Sequence, residues 1–294
     1  MSLYPEGWFP FPEEVDTVLA EIPVPFFDGT LANGVYEEDI PERVGLWQTY
    51  RQVTGKPWPS YNQGSVGSCV SFGTASAIQA TLSSQMKGTG DVPHLVQEEI
   101  YGGSRVEIGQ KKLSGHDGSV GAWAAKCVQQ YGVIPRNVYG QYDLSKYSVE
   151  RCRDWGNSGI PDDLEPECRK RLVETITLVR SWESAKKCLA SGYGIAICSN
   201  RGFKMTRDKD GFAAASGIWH HCMALIGYQL GPRQGGFIVN SWGPDAHTGP
   251  KNMSDDPDCG FWADASVIDN MLAQGDSWAF STVKGFPARL DWRI

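Results

Sequence analysis

No stretch of the 294-residue chain is long and apolar enough to cross a membrane as a helix. Basic runs are absent as well, and the formal net charge is −7. Nucleic acid and anionic membrane surfaces are therefore poor partners, since both are bound through clustered Lys and Arg. The eight cysteines contain no C-x-x-C pair, which argues against a zinc site. Asp208-Lys209-Asp210-Gly211 has the start of a calcium loop but neither its spaced oxygens nor its closing Glu. No metal and no cofactor is expected. The segment Met1 to Pro25 is acidic and Pro-rich and lacks the basic start and apolar run of a signal peptide. The chain accordingly reads as intracellular, or as one from which a targeting segment has been removed. No internal repeat is present, and nothing in the pattern sets an oligomeric state.

What the chain does have is bulk. Its 11 Trp, 11 Tyr and 11 Phe supply a sizeable core, at a length suited to one two-lobed domain. Residues 1–56 form an N-terminal arm with two aromatic clusters, Trp8-Phe9-Pro10-Phe11-Pro12 and Pro23-Val24-Pro25-Phe26-Phe27. The favoured reading has this arm wrapping the back of the domain; the competing one has it covering a cleft. Residues 57–294 form the main domain, helical over about 57–175 and strand-rich over about 176–294. Helices are expected over Val70–Leu82, Gly121–Tyr131 and Ser181–Ala190, the last with Ser181 as N-cap and Glu183 in its first turn. Strands are expected over Thr175–Arg180, Gly194–Cys198, Cys222–Tyr228, Gly236–Val239, Gly260–Ala263 and Trp278–Val283. An active cleft is expected between the two lobes.

The chemistry concentrates at three places. Gln63-Gly64-Ser65-Val66-Gly67-Ser68-Cys69 is a polar, Gly-rich loop that puts a thiol at the start of a helix. The helix dipole and free N–H groups there favour the thiolate, the nucleophilic form. Gly64 and Gly67 permit close approach of a substrate backbone. Gln63 can offer an amide donor where an oxyanion forms. Far down the chain, the strand at Cys222–Tyr228 opens on His221. After a Gly-rich turn the next strand runs into Asn240. Such a hairpin sets His221 beside Asn240, whose amide oxygen can hold one imidazole nitrogen while the other faces the thiol. This is the nucleophile, base and orienter arrangement of a triad in its Cys-His-Asn form.

On these blocks the chain resembles the papain-like cysteine peptidases. The matching residues are Gln63, Gly67-Ser68-Cys69, His221 with Gly227-Tyr228, and Asn240-Ser241-Trp242-Gly243. The resemblance implies an α+β, two-lobed fold, with a helical first lobe and an antiparallel, β-barrel-like second one. It implies that Cys69 is the nucleophile, His221 the base and acid, and Asn240 the orienter. Gln63 and the Cys69 N–H would form the oxyanion hole, and Trp242 would shield the Asn–His bond and line the leaving-group side. It further implies that Gly118 and Ser119 bind the main chain of a substrate, Ser119 standing where the family has a second Gly. Val120, Gly121, Cys198 and His220 are pocket candidates by position, with His220 also read as structural, its side chain turned to the other face of its strand.

Departures from the family are informative. Val66 and His116 stand where it has a pair of bridged cysteines, so both halves of that bridge are missing. The run from Pro244 to Asp258 replaces a second Trp-Gly, and it is expected to bear on substrate choice more than on chemistry. Its acidic residues Asp255, Asp256 and Asp258 are expected to face water. Of the other cysteines, Cys127, Cys188, Cys198 and Cys222 read as buried thiols, and Cys152 with Cys168 as a pair that can bridge. The expected activity is hydrolysis of peptide bonds in a peptide or protein substrate through a thioester acyl-enzyme. Amidase, transpeptidase or acyltransferase chemistry on the same scaffold is the alternative, and a non-catalytic binding protein the third. The intact Cys, His, Asn and Gln argue against the last.

Overall fold

Two of the helices start on a serine whose side chain caps them, and others end on backbone bonds or turns. In the computed structural model, which describes residues 4–23, 26, 40–86 and 88–281, α1 (Pro12–Glu21) opens on a proline and buries Val15 and Val18. Next, α2 (Leu46–Thr54) stops at Gly55, which takes φ 70 so that its N–H reaches the Arg51 carbonyl. α3 (Cys69–Gln85) is buried on all faces but the one at Ser84. Its small residues let other elements pack against its backbone. A Cβ at Gly73 would stand 2.8 Å from Cys222 Sγ.

The remaining helices of the first half are α4 (Gln97–Gly103), which continues into a π-turn at 104–108, α5 (Gly121–Gln130), α6 (Val149–Ser158) and α7 (Glu165–Cys168). Ser148 caps α6 by accepting from the Arg151 N–H. Glu98, buried in α4, is held by Arg136 at 2.9 Å and Arg151 at 2.7 Å. The loop from 135 to 151 is thereby fastened to the helical half.

The second half carries most of the sheet. Its strands are β1 (Arg43–Gly45) from the arm, then β4 (Ile176–Leu178), β5 (Ile195–Arg207), β6 (Ala213–Gln229), β7 (Gly235–Val239), β8 (Gly260–Asp264) and β9 (Trp278–Phe280). A separate small hairpin pairs β2 (Val138–Tyr139) with β3 (Tyr142–Asp143). The sheet order is β4-β9-β5-β6-β7-β8, with β1 added to β6, and every pairing is antiparallel. The architecture is α+β. The sheet stays open, with β4 and β8 at its ends, so the expected barrel-like lobe is not a closed barrel. Two helices accompany the sheet, α8 (Trp182–Ala190), capped by Ser181 as expected, and α9 (Ala265–Leu272).

All six expected strands are present; β4 is shorter than expected, Ile176–Leu178 within Thr175–Arg180, and two others are much longer. β5 and β6 extend past the site as a long two-stranded ribbon. Its outer part, Ala214–Ile218, is exposed and lacks the apolar signal of a core strand. The last expected strand is observed to Phe280, and its end at Val283 lies outside the described residues, as do Val24, Pro25 and Phe27 of the arm.

All eight cysteines are free and buried. Cys152 and Cys168 belong to separate apolar clusters, so the bridge considered between them is not formed. Val66 packs with Tyr101 and Cys152, an apolar contact where the family carries half a disulfide. Asp256 departs from expectation. It is buried, accepts from Trp262 Nε1 at 2.9 Å and from the Met253 N–H at 3.1 Å, and so ties its loop to the sheet.

Candidate active site

α3 lies against β6, and that packing sets Cys69, the first residue of the helix, beside the strand that carries His221. The neighbouring strand β7 ends at Val239, so Asn240 follows directly and faces His221. His221 Nε2 lies 2.8 Å from Asn240 Oδ1. That oxygen also accepts from the Ser241 N–H at 2.7 Å. It is therefore an acceptor, and His221 Nε2 is the donor. The proton thus sits on Nε2, and Nδ1 is left with a lone pair and no partner. Trp242 stacks on the imidazole at 4.4 Å between ring centres and closes water away from the His221–Asn240 bond.

A residue outside the sequence motifs completes this arrangement. The Asn240 amide nitrogen lies 3.1 Å from Nε2 of His247, which is buried. His247 comes from the loop expected to affect substrate choice only. Instead it reaches the centre and fixes which way round the Asn240 amide stands. The ring is clamped by Phe261 at 4.4 Å, and its carbonyl accepts from Arg207.

Gln63 is equally constrained. Its Oε1 accepts from Ser241 Oγ at 2.6 Å, which turns Nε2 toward the carbonyls of Val66 at 2.9 Å and Pro5 at 3.2 Å. The second of these belongs to the arm. Residues Tyr4 to Phe9 run directly over the candidate residues. Tyr4 stacks on Trp242 at 4.7 Å, and Trp242 Nε1 donates to the Pro5 carbonyl. Glu6 accepts from the His220 N–H, and the His220 carbonyl accepts from both the Gly7 and the Trp8 N–H at 3.0 Å. The Ser119 N–H donates to Gly7 at 2.8 Å, while its carbonyl accepts from Phe9.

Two glycines make this approach possible. A Cβ on Gly7 would stand 1.9 Å from the Gly67 carbonyl oxygen. Gly118, at φ 118, would carry a Cβ 2.4 Å from the Phe9 ring. Of the two loop glycines expected to admit a substrate, Gly67 meets the arm and Gly64 faces Val149. The Ser119 hydroxyl turns inward to Ser104 Oγ at 2.8 Å, so it leaves the backbone as open as a glycine would. His220 meets the arm through its backbone, and its ring lies 6.4 Å from that of Trp8.

Burial governs the electrostatics. It pushes His221 down to about 4, against the pull of its Asn240 bond. It pushes the Cys69 thiol well above its ordinary range, and the Cys222 thiol adds to this. Hydrogen bonds from the Cys222 and Val70 backbone oppose the rise without cancelling it. Burial therefore disfavours the charged form of each group. Burial thus opposes the thiolate that the helix N-terminus favours. No hydrogen bond joins Cys69 to His221; the thiol lies against the Cys222 backbone, next to His221 in the chain.

Similar solved structures share this architecture along nearly the whole chain. Xylellain, a cysteine protease from Xylella fastidiosa, superposes with a TM-score of 0.61 at 18% identity, over 97% of this chain and 99% of that one. The fold is papain-like. Procathepsin B S9 from Trypanosoma congolense gives a TM-score of 0.57 at 12% identity, over 96% of this chain and 87% of its own. Digestive procathepsin L 3 from the larval midgut of Tenebrio molitor gives 0.53 at 14%, over 91% and 79%. The sequence itself matches no protein-family model and no curated protein. In this papain-like frame, Cys69 and His221 stand on facing elements, with Gln63, Asn240 and Trp242 around them.

Proposed function

We propose that this chain is a cysteine peptidase held latent by its own N-terminal arm. The observation that carries the reading is the His221 tautomer. Nε2–H is committed to Asn240 at 2.8 Å, which leaves Nδ1 as an unoccupied base beside the residue that opens α3, Cys69. A histidine buried only to fill the core has no use for a free, desolvated lone pair.

Departure of the arm changes three things together. Water enters and the desolvation that kept the pair neutral is relieved, so the proton passes from Cys69 Sγ to His221 Nδ1. Gln63 Nε2 loses the Pro5 carbonyl and, with the Cys69 N–H, can hold an oxyanion. Ser119 and the His220 carbonyl are released to pair with the main chain of a substrate. Cys69 Sγ then attacks a peptide carbonyl. The C–N bond breaks as His221 gives its proton to the leaving amine, and the thioester remains. Water loses a proton to His221, adds to the thioester and displaces the Cys69 sulfur, which regains its proton. His247 and Trp242 act through Asn240 and His221, keeping the ring oriented and its bond dry.

The test is covalent labelling by an epoxysuccinyl thiol-peptidase inactivator, mapped by mass. In the intact chain, labelling should be slow. In a chain whose arm cannot seat, one adduct should form rapidly on Cys69, and His221→Ala should block it. An unseated arm with Cys69 still inert would refute the peptidase reading.

A further inference from the structure

Two thiols with no part in the reaction just described lie where α3 meets the sheet, close to Cys69. Cys198 in β5 and Cys222 in β6 are directly opposite partners of an antiparallel pair. Residues so paired point to the same face of a sheet, with Cα atoms about 4.5–5.5 Å apart. That separation lies within the range a disulfide spans. Both cysteines are free and buried. The Cys222 sulfur faces α3, since a Cβ on Gly73 would stand 2.8 Å from it. Gly73 comes one turn after Cys69 and shares its side of the helix. The Cys69 thiol in turn lies against the Cys222 backbone. Burial and then the Cys222 thiol push Cys198 well above its ordinary range, with Asp276 and Cys69 adding to the rise.

The arm covers this group as well. The Cys198 N–H donates to Ser277 Oγ at 3.2 Å. The preceding residue, Asp276, accepts from Trp8 Nε1 at 2.7 Å, from the Gly121 N–H at 2.8 Å and from Trp278 Nε1 at 2.8 Å. Trp8 belongs to the arm, so the segment that runs over Cys69 also seats its largest side chain beside the strand pair. We propose that Cys222 and Cys198 are a resolving pair for Cys69, which returns the nucleophile to its thiol after a hydroperoxide has oxidised it.

The chemistry runs in three steps. With the arm lifted, His221 takes the Cys69 proton and the thiolate attacks hydrogen peroxide. The O–O bond breaks, the sulfur becomes a sulfenic acid, and the departing hydroxide takes the proton from His221 and leaves as water. The Cys222 sulfur then attacks the Cys69 sulfur. An S–S bond forms, the S–O bond breaks, and a second water leaves with the Cys222 proton. Last, the Cys198 sulfur attacks Cys222, the bond to Cys69 breaks, and the Cys198 proton passes to Cys69. One peroxide has become two waters, and two thiols have become the Cys198–Cys222 disulfide. The bond comes to rest there because those strand positions already face each other at the separation a disulfide needs. Burial in the sheet makes Cys198 a poor target for peroxide itself, so it acts only on a sulfur brought to it. Without the pair, a second peroxide would carry Cys69 on to the sulfinic acid, which thiols do not reverse.

The proposal rests on Cys69 being the reactive thiol of the peptidase reading, and the two fail in different ways. The full chain with Trp8→Ala is treated with hydrogen peroxide, unfolded in acid, alkylated and mapped by mass. The product should be a Cys198–Cys222 disulfide with Cys69 free. Adding Cys198→Ala should stop the sequence at a Cys69–Cys222 bond. Adding Cys222→Ala should raise the yield of Cys69 sulfinic acid by about tenfold, and labelling by the epoxysuccinyl inactivator after peroxide should fall to match. Cys222→Ser, nearer in size, gives the same readout if the alanine variant does not fold. Equal sulfinic acid with and without Cys222 would overturn the proposal. A Cys198–Cys222 bond that forms as fast in Cys69→Ala would overturn it too, because the pair would then oxidise without the nucleophile. Either result leaves the peptidase reading standing, since labelling of Cys69 before peroxide tests that separately. A Cys69 inert to both inactivator and peroxide would remove both.

Discussion

Residues 4–9 and α1 belong to one arm, yet different forces hold them. Tyr4–Phe9 is bound mainly through backbone, with Gly7, Trp8 and Phe9 all pairing with Ser119 or His220. The fit there depends on glycine and on the single deep side chain of Trp8. α1 is bound through side chains. Val15 and Val18 are buried, Phe11 packs on the edge of Trp123 at 6.0 Å, and Trp123 Nε1 donates to Glu14 at 2.9 Å. Ion pairs to Lys112 and Lys126 finish the attachment. Backbone pairing is available to any peptide and is therefore exchangeable. Side-chain packing of this kind is particular to the arm. On the proposed latent reading, the first stretch is a plug and the second an anchor, which would keep the plug at high local concentration after it leaves.

Several measurements can break this division. The largest effect is expected from Gly7→Ala. Its Cβ meets the Gly67 backbone, which cannot move aside like a flexible side chain. The resulting overlap of about 1–3 kcal/mol should speed labelling of Cys69 by roughly tenfold to a hundredfold. An unchanged rate would show that the plug is not what limits access. In the same unplugged background, His247→Leu should slow labelling by about tenfold, because the Asn240 amide nitrogen is left buried without an acceptor. His247→Gln should restore part of it, since its amide oxygen can accept. Glu14→Gln should act least. It weakens a partly exposed ion pair worth about 0.5 kcal/mol, so labelling should rise by no more than roughly threefold, with a small fall in melting temperature. A jump as large as that of Gly7→Ala would merge plug and anchor into one unit.

Acid sharpens the comparison further. The Trp8 bond lowers Asp276 from where burial alone would put it. By linkage, the ionised carboxylate binds Trp8 more tightly than the acid form. The contribution of Trp8 to cover should therefore be complete well above pH 6 and decline as pH falls through about 6. Asp276 affects the fold with the opposite sign. Its raised value means that its share of folding stability is full below about 3.8 and is lost as pH rises through about 6. The ratio of labelling rates for Trp8→Ala and the unaltered chain isolates the first effect, and it should narrow on acidification. A ratio independent of pH would detach Asp276 from the plug.

The candidate site residues were legible in the sequence because each sits in a local pattern. Cys69 follows a Gly-rich loop, and His221 and Asn240 flank a hairpin whose apolar runs announce its strands. The helix Gly121–Gln130 and the Ser181 cap were legible for the same reason. Other features carry no local signature. Trp8 and Asp276 are 268 residues apart in sequence and meet only through the packing of α5 and β9. His247 and Asp256 lie in one polar run whose composition suggests exposure. The path of Tyr4–Phe9 is written in main-chain bonds, which leave no trace in residue type beyond one glycine.

The burial of every thiol has a consequence for how the molecule reports its own state. Eight free cysteines are enclosed in the covered form. A water-borne alkylating reagent therefore finds close to none while the arm is seated, one when only the arm has lifted, and all eight when the chain unfolds. Opening and denaturation, which many probes confuse, fall on separate integers of a single stoichiometric scale.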